Sequence, residues 1–495
     1  MKLLTLIIFF FTLVVLKGCG GGSSNDESAS QTQYIYAAWV IIGSDEAGNN
    51  RAFARVATSY LSPSGQPVCP QINIDGRFSK MAMRAAAGEM PLRPTAFQPS
   101  VPANFPLSTC EAILPAGTQY ASVAWQSLPI PKERFDRILL IGDSGCRMDT
   151  TNLQNCEDPK EWPFASVAQL GAELNPDLVM HMGDFQYRDV PCSASGKCPI
   201  DAQSPWGYGW DTWNADLFTP AAVLFAKAPW LVVRGNHEIC SKAGQGWFRF
   251  LNPTFYTEDR SCNNASYDSI ANYSPTYAVS LGGGSRIVVY DSANVSIGTT
   301  VTDPNNNYYR QFVEAFTLAA NPIFTNTIFT NHHPILGYGN PTTSSVPPGN
   351  TTLQGVMNNV MQKLYPAATA NSYYPESINT AFHGHVHNLQ TINFGVNNFP
   401  SHPATIISGA DGVALAEPFP SATPPFYKTT LVAPGVEINN MIWNNNFSFA
   451  LLERIENSAF WKYTLYNKSG DTFAVCTQAG RQLNCTPNAG NLSSS

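Results

Sequence analysis

Arg137-Ile138-Leu139-Leu140-Ile141-Gly142-Asp143-Ser144-Gly145 decides the fold of this chain. Five mostly apolar residues read as a short buried strand, and a glycine followed by an aspartate ends it. The same plan recurs downstream. Leu178–His181 runs into Met182-Gly183-Asp184, with Tyr187 three residues on, and Trp230–Val233 runs into Gly235-Asn236-His237-Glu238. Asn326–Phe329 runs into Asn331-His332-His333-Pro334, and Thr380–Phe382 into His383-Gly384-His385-Val386-His387. Ligands collect where chain leaves the carboxyl ends of buried strands in an α/β sheet. Gly142, Gly183, Gly235 and Gly384 each precede a candidate ligand, and the expectation is that they supply the sharp turn.

Between these strands lie helical patterns at Phe164–Leu174, Trp213–Phe225, Tyr308–Ala319 and Leu353–Leu364. A further strand is expected at Arg286–Tyr290, and three more near the end at Ser448–Ile455, Trp461–Tyr466 and Thr472–Cys476. Strands alternating with helices indicate an α/β layered fold over residues 132–488. Residues 33–131 read differently: short apolar runs at Tyr34–Ile42, Arg51–Ser59 and Tyr120–Trp125 are broken by Gly, Pro and Asn. This smaller N-terminal β-rich module has no cluster of metal-ligating residues and ends at the hinge Leu128-Pro129-Ile130-Pro131.

The chain begins with Lys2, an apolar run from Leu3 to Leu16, then Lys17-Gly18-Cys19. Residues 1–18 thus read as a signal peptide, too short to span a bilayer comfortably. Leu16, Gly18 and Cys19 resemble the lipobox of bacterial lipoproteins, Lys17 departing from it; residues 19–32 read as a flexible linker. The expectation is an exported protein, a periplasmic or cell-surface lipoprotein or otherwise secreted, that meets a membrane only through a lipid anchor. The 11 cysteines leave an even number beyond Cys19, in local couples 69/110, 146/156, 192/198, 240/262 and 476/485, as disulfides in an oxidising compartment would require. A net charge of −7 with 13% charged residues carries no footprint for a nucleic-acid duplex.

The motif residues are metal donors by type. Asp143 is a candidate terminal ligand, although an aspartate after a strand also serves as a helix N-cap. The two oxygens of Asp184 suit a carboxylate shared by two ions, and Tyr187 offers a hard phenolate that favours a trivalent metal. Asn236 adds a neutral amide oxygen. His237, beside it, is the candidate proton donor, since imidazole titrates near working pH. Glu238 either orients His237 or faces solvent. One histidine of the 332/333 pair follows its strand as a ligand; the other, ahead of proline, touches substrate or fills space. His385 and His387 share one face of extended chain, and His383 competes with them.

These blocks resemble the purple acid phosphatases within the calcineurin-like metallophosphoesterases, whose signature is GDxG, GDxxY, GNH(D/E), VxxH and GHxH. The resemblance spans roughly Arg137 to Asn388. It implies a layered α-β-β-α sandwich and an acid phosphatase that hydrolyses small phosphorylated substrates, phosphate monoesters, by activating water on two metal ions. Asp143, Asp184, Tyr187 and His387 would hold Fe(III); Asp184, Asn236, His332 and His385 would hold a divalent Fe, Zn or Mn. His237 would meet the phosphate and the leaving group. Two positions depart from the family: Phe329 begins the fourth block, and Gly339–Ser345 lacks the second histidine usual there. His333 or Tyr338 is left to take that histidine's place in catalysis. The alternatives are a phosphodiesterase or nucleotidase on the same scaffold, and a non-enzymatic lipoprotein that binds metal or phosphate.

Overall fold

In each central strand, alternate residues enter different cores. Ile138 and Leu140 pack in one apolar cluster with Ile287, Val289, Ile328 and Phe382; Leu139 and Ile141 pack in another, with Phe164, Val167, Leu224 and Phe225 of flanking helices. Across the molecule, Val288, Phe329 and Ala381 meet Phe312, Phe316, Val356 and Val360 in a third cluster. Strands buried on both faces and helices outside them make the expected α-β-β-α sandwich. The computed structural model describes residues 34–45, 47–93, 102–150, 153–192, 204–395, 402–421 and 425–488. The signal (1–18) and linker (19–32) expected from sequence lie outside them.

The first sheet centres on Arg137–Ile141, Leu178–His181 and Trp230–Val232, all parallel, with Ser448–Arg454 antiparallel on one side. The second centres on Ser285–Val289, Asn326–Thr330, Thr380–His383 and Ala404–Ser408, also parallel. In-register pairs such as Ile141 with His181 and Thr330 with Phe382 bring the carboxyl ends of neighbouring strands level. The sequence blocks therefore emerge along one edge of each sheet.

The N-terminal strands continue the first sheet. Ile35–Ser44 pairs in parallel with Trp230–Val232, and Asn50–Thr58, Ser108–Leu114 and Ala82–Ala85 follow in order. One hydrogen-bonded sheet thus crosses residue 131. The contact is reinforced by buried Arg55 and Arg84, which share Glu111 at 3.3 and 2.8 Å and donate to the carbonyls of Phe248, Phe250 and Asn252.

Two local expectations are corrected. The helix expected over Trp213–Phe225 is instead Trp210–Trp213, a wide turn at Asn214–Phe218 and a separate helix Ala222–Lys227. Pro220, which has no N–H and crowds the preceding turn, splits it. Strands Tyr277–Gly282, Leu389–Phe394, Ala404–Ser408 and Ile438–Asn444, not expected from sequence, complete the second sheet. Disulfides join Cys69–Cys110, Cys146–Cys156, Cys240–Cys262 and Cys476–Cys485 as the couples suggested. Cys192 is bridged too, its expected partner Cys198 lying outside the described residues. Among the described residues no helix is long and apolar enough to cross a membrane.

Candidate metal centre

All seven candidate ligands meet between the two sheets, and two overlapping groups form around Asp184. In one, the Tyr187 hydroxyl is 2.8 Å from both Asp143 Oδ1 and Asp184 Oδ2, and 3.3 Å from His387 Nε2. In the other, His332 Nε2 is 3.1 Å from Asp184 Oδ2 and 3.0 Å from Asn236 Oδ1, and His385 Nδ1 is 2.9 Å from the same amide oxygen. Donor atoms of Asp184, His332 and His385 lie within 4.8 Å of one another.

The backbone reaches this arrangement by an unexpected route. Asp143, Asp184 and His385 themselves take the left-handed conformation, with φ of 54°, 55° and 69°. Of the four preceding glycines only Gly183, at φ 100°, does so. The strained turn falls mainly on the ligand, at a cost of order 1–3 kcal/mol per residue, and clusters at the site. The other glycines serve close approach. A Cβ on Gly235 would collide with the Asp184 carboxylate and amide, and one on Gly384 would lie 2.6 Å from Asp143 Oδ2.

The hydrogen-bond inventory tests whether a cation fits. His332 Nδ1 is 2.8 Å from the Met182 carbonyl, so the single N–H of a neutral ring is spent there. Its Nε2 lone pair then faces two oxygens, which only a proton or a cation can reconcile. Tyr187 likewise has one proton for two carboxylate oxygens at equal distance. His387 Nδ1 faces the Ala414 carbonyl at 2.9 Å, which leaves its Nε2 as a donor atom as well. The donor set therefore fits metal ions, with oxygen and imidazole ligands suited to iron, zinc or manganese.

The electrostatics of the protein alone point the same way. Burial pushes the Asp143 carboxyl well above its usual range, and burial with the Asp143 and Asp184 charges pushes the Tyr187 phenol up. Burial opposes ionisation of Asp184 too, but the His332 and His237 imidazoles hold its carboxyl well below the ordinary value. Burial also works against His332, yet Asp184 keeps it at about 9, its proton standing where a cation would. Burial lowers His385 and His387 to about 3, leaving neutral imidazoles ready to coordinate.

His237 lies at the rim. Its backbone N–H donates to Asp184 Oδ1 at 2.9 Å, and its ring leans on Tyr187 with centroids 4.1 Å apart. Asp189 Oδ2 is 3.7 Å from His237 Nδ1, while Asp189 Oδ1 accepts the Tyr208 hydroxyl at 2.6 Å. His333 is buried, with Nδ1 3.1 Å from Ser292 Oγ and its ring 4.2 Å from that of His385. Tyr338, the other stand-in for the missing histidine, is turned away: it is fully buried and donates to the Thr430 carbonyl at 2.5 Å. From that stretch Asn340 reaches the site, accepting the His387 N–H at 2.9 Å. His383 is buried outside the donor groups, with Nδ1 3.3 Å from the Asn331 carbonyl.

Of the supporting residues, Asp411 and His181 were not singled out from sequence, and Glu238 takes a role not expected for it. Glu238 neither orients His237 nor faces water. Fully buried, its carboxylate accepts the backbone N–H groups of Asp184, Phe185 and Gly235 at 2.9–3.0 Å, which ties two ligand loops together. Asp411 accepts the Gly142 N–H at 2.6 Å, and His181 bonds Ser144 Oγ at 2.9 Å while stacking on Phe185. The glutamate at the end of GNHE was the one visible signal.

A family model for the calcineurin-like phosphoesterases matches residues 136–389, just over half of the chain and a span within which the seven candidate ligands fall. No curated protein matches in sequence. Among solved structures, the purple acid phosphatase PPD1 from yellow lupin (Lupinus luteus) seeds superposes with a TM-score of 0.54 at 14% identity, covering 89% of this chain and 73% of that one. PhoD superposes with a TM-score of 0.53 at 12% identity, covering 95% of each chain. At such identities the likeness concerns fold; the family match, over the strands and loops that carry the site, shows that this chain belongs to the calcineurin-like phosphoesterases.

Proposed function

We propose that the chain is an exported acid phosphatase that hydrolyses phosphate monoesters with a pair of metal ions. The observation that carries this reading is the double donor group around Asp184, with His237 at its rim. Asp143, Asp184, Tyr187 and His387 would hold one ion, Fe(III), and Asp184, Asn236, His332 and His385 the other, a divalent Fe, Zn or Mn. Bound there, the ions supply Lewis acidity to the phosphoryl oxygens and to the attacking water.

The chain's own groups do the rest. The Met182 and Ala414 carbonyls fix the tautomers of His332 and His387, so each keeps an Nε2 lone pair aimed inward. Glu238 and Asp411 hold the loops that carry Asp184, Asn236 and Asp143, so the site needs little rearrangement on substrate binding. His237, steadied by Tyr187 and Asp189, hydrogen-bonds the phosphoryl group and passes a proton to the leaving oxygen. His333, against His385, lines the far side of the phosphate.

Metal-loaded protein is expected to turn over p-nitrophenyl phosphate, and Asp184→Ala and Asn236→Ala to abolish it. Full activity in both variants would remove the reading. A visible absorption band that vanishes in Tyr187→Phe would support iron at the phenolate. Four disulfides among the described residues support export.

A further inference from the structure

His237 has a cation for a neighbour. Lys242 Nζ lies 3.4 Å from each ring nitrogen of His237 and 3.7 Å from Asp189 Oδ2. The chain builds this placement. The Ala243 N–H returns to the His237 carbonyl at 3.0 Å, and the Lys242 N–H bonds the Ile239 carbonyl at 2.9 Å. Within that turn Cys240 is pinned by the disulfide to Cys262 and by the Asn272 side chain at 2.9 Å. The lysine and His237 side chains are each 14% exposed, so both reach solvent at the rim.

In the phosphatase reading, on which this inference rests, the ions would hold the reacting phosphoryl group and His237 faces the leaving oxygen. Whatever is bonded to that oxygen lies on the side of His237 that Lys242 occupies. A neutral alcohol gains nothing from a positive charge there. A second anion gains a charge-assisted hydrogen bond in a partly desolvated setting.

We propose that Lys242 is a specificity residue that receives a second anionic group on the alcohol portion of the ester. The substrate class is then phosphate esters of alcohols that also carry a carboxylate or another phosphate. Lysine binds as a point charge and accepts either.

The test compares two esters that differ only at that group: 3-phosphoglycerate, with a carboxylate, and glycerol 3-phosphate, with a hydroxymethyl. Holoenzyme is expected to favour 3-phosphoglycerate. Lys242→Met should lower kcat/KM for it about tenfold more than for glycerol 3-phosphate, mainly through KM, the scale of one lost charged hydrogen bond. Lys242→Arg should keep the preference. Because the ratio is internal to each variant, loss of folded protein cancels. Equal losses on both esters, or no preference in the parent, would overturn the inference while p-nitrophenyl phosphate turnover leaves the phosphatase reading standing. A parent inert toward all three esters overturns that reading, and this inference with it.

Discussion

Every oxygen donor of the centre, Asp143, Asp184, Tyr187 and Asn236, follows a strand of the first sheet, whereas every nitrogen donor, His332, His385 and His387, follows a strand of the second. The first sheet brings the acidic donors and the second brings imidazoles, of which burial holds His385 and His387 low while Asp184 raises His332. Neither sheet carries a complete group. Each ion would be bound from both sides and would fasten the two sheets at the edge where the apolar core between them ends.

The largest effect expected from breaking this division is on catalysis. Removing one donor from either sheet, Asp184→Ala or His332→Ala, should each cost roughly three orders of magnitude in kcat, about 4 kcal/mol of transition-state stabilisation. A variant from one sheet that keeps parental activity would show that the sheets do not share the work.

Stripping the metal comes next. At a thousandfold excess over Kd, binding to the folded state alone contributes about 4 kcal/mol, so chelation should lower the melting temperature of the parent by several degrees. His332→Ala and Asp143→Ala should both lose that chelator-sensitive increment, although their donors belong to opposite sheets. If only one of them does, the fastening is one-sided.

The clamp within the first sheet can be probed separately. Glu238→Gln keeps the shape but turns one of the two acceptor oxygens facing the Asp184, Phe185 and Gly235 amides into a donor, for an expected loss of about 1–3 kcal/mol in stability or metal affinity. Calorimetric unfolding and metal titration would measure it.

The smallest effect is a change of profile. Burial, then the Lys242 charge, holds the His237 imidazole well below its ordinary value of 6.5. If its proton is needed, kcat/KM falls as pH rises through that depressed value, so the basic limb lies on the acid side of 6.5. His237→Ala should lower the rate and flatten the limb; an unchanged limb would assign it to another group.

Legibility followed the type of interaction. Arg137–Ile141, Leu178–His181 and Thr380–His383 were readable because apolar runs with a terminal glycine are local patterns. Leu389–Phe394 was not. Gln390, Thr391 and Asn393 make it look like a loop, yet all are buried, Gln390 and Asn393 being satisfied by Tyr338, Asn388, Asn440 and Leu483. The ligands could be named because metal chemistry restricts residue types. Their supports could not: Glu238, Asp411 and Asn340 act on backbone amides of loops distant in sequence, and any acceptor of suitable reach could do so. The family resemblance supplied the division into two donor groups that composition and spacing left open.

The pairing of Ile35–Ser44 alongside Trp230–Val232 bears on attempts to trim the protein. Without residues 33–131, the strand that leads to Asn236 would become an unprotected border, its amides and carbonyls free to recruit another chain. Buried Phe218, Phe225 and Phe250, which pack on Trp39, would face water at the same place. A shortened catalytic half would therefore tend to self-associate rather than work as a smaller enzyme.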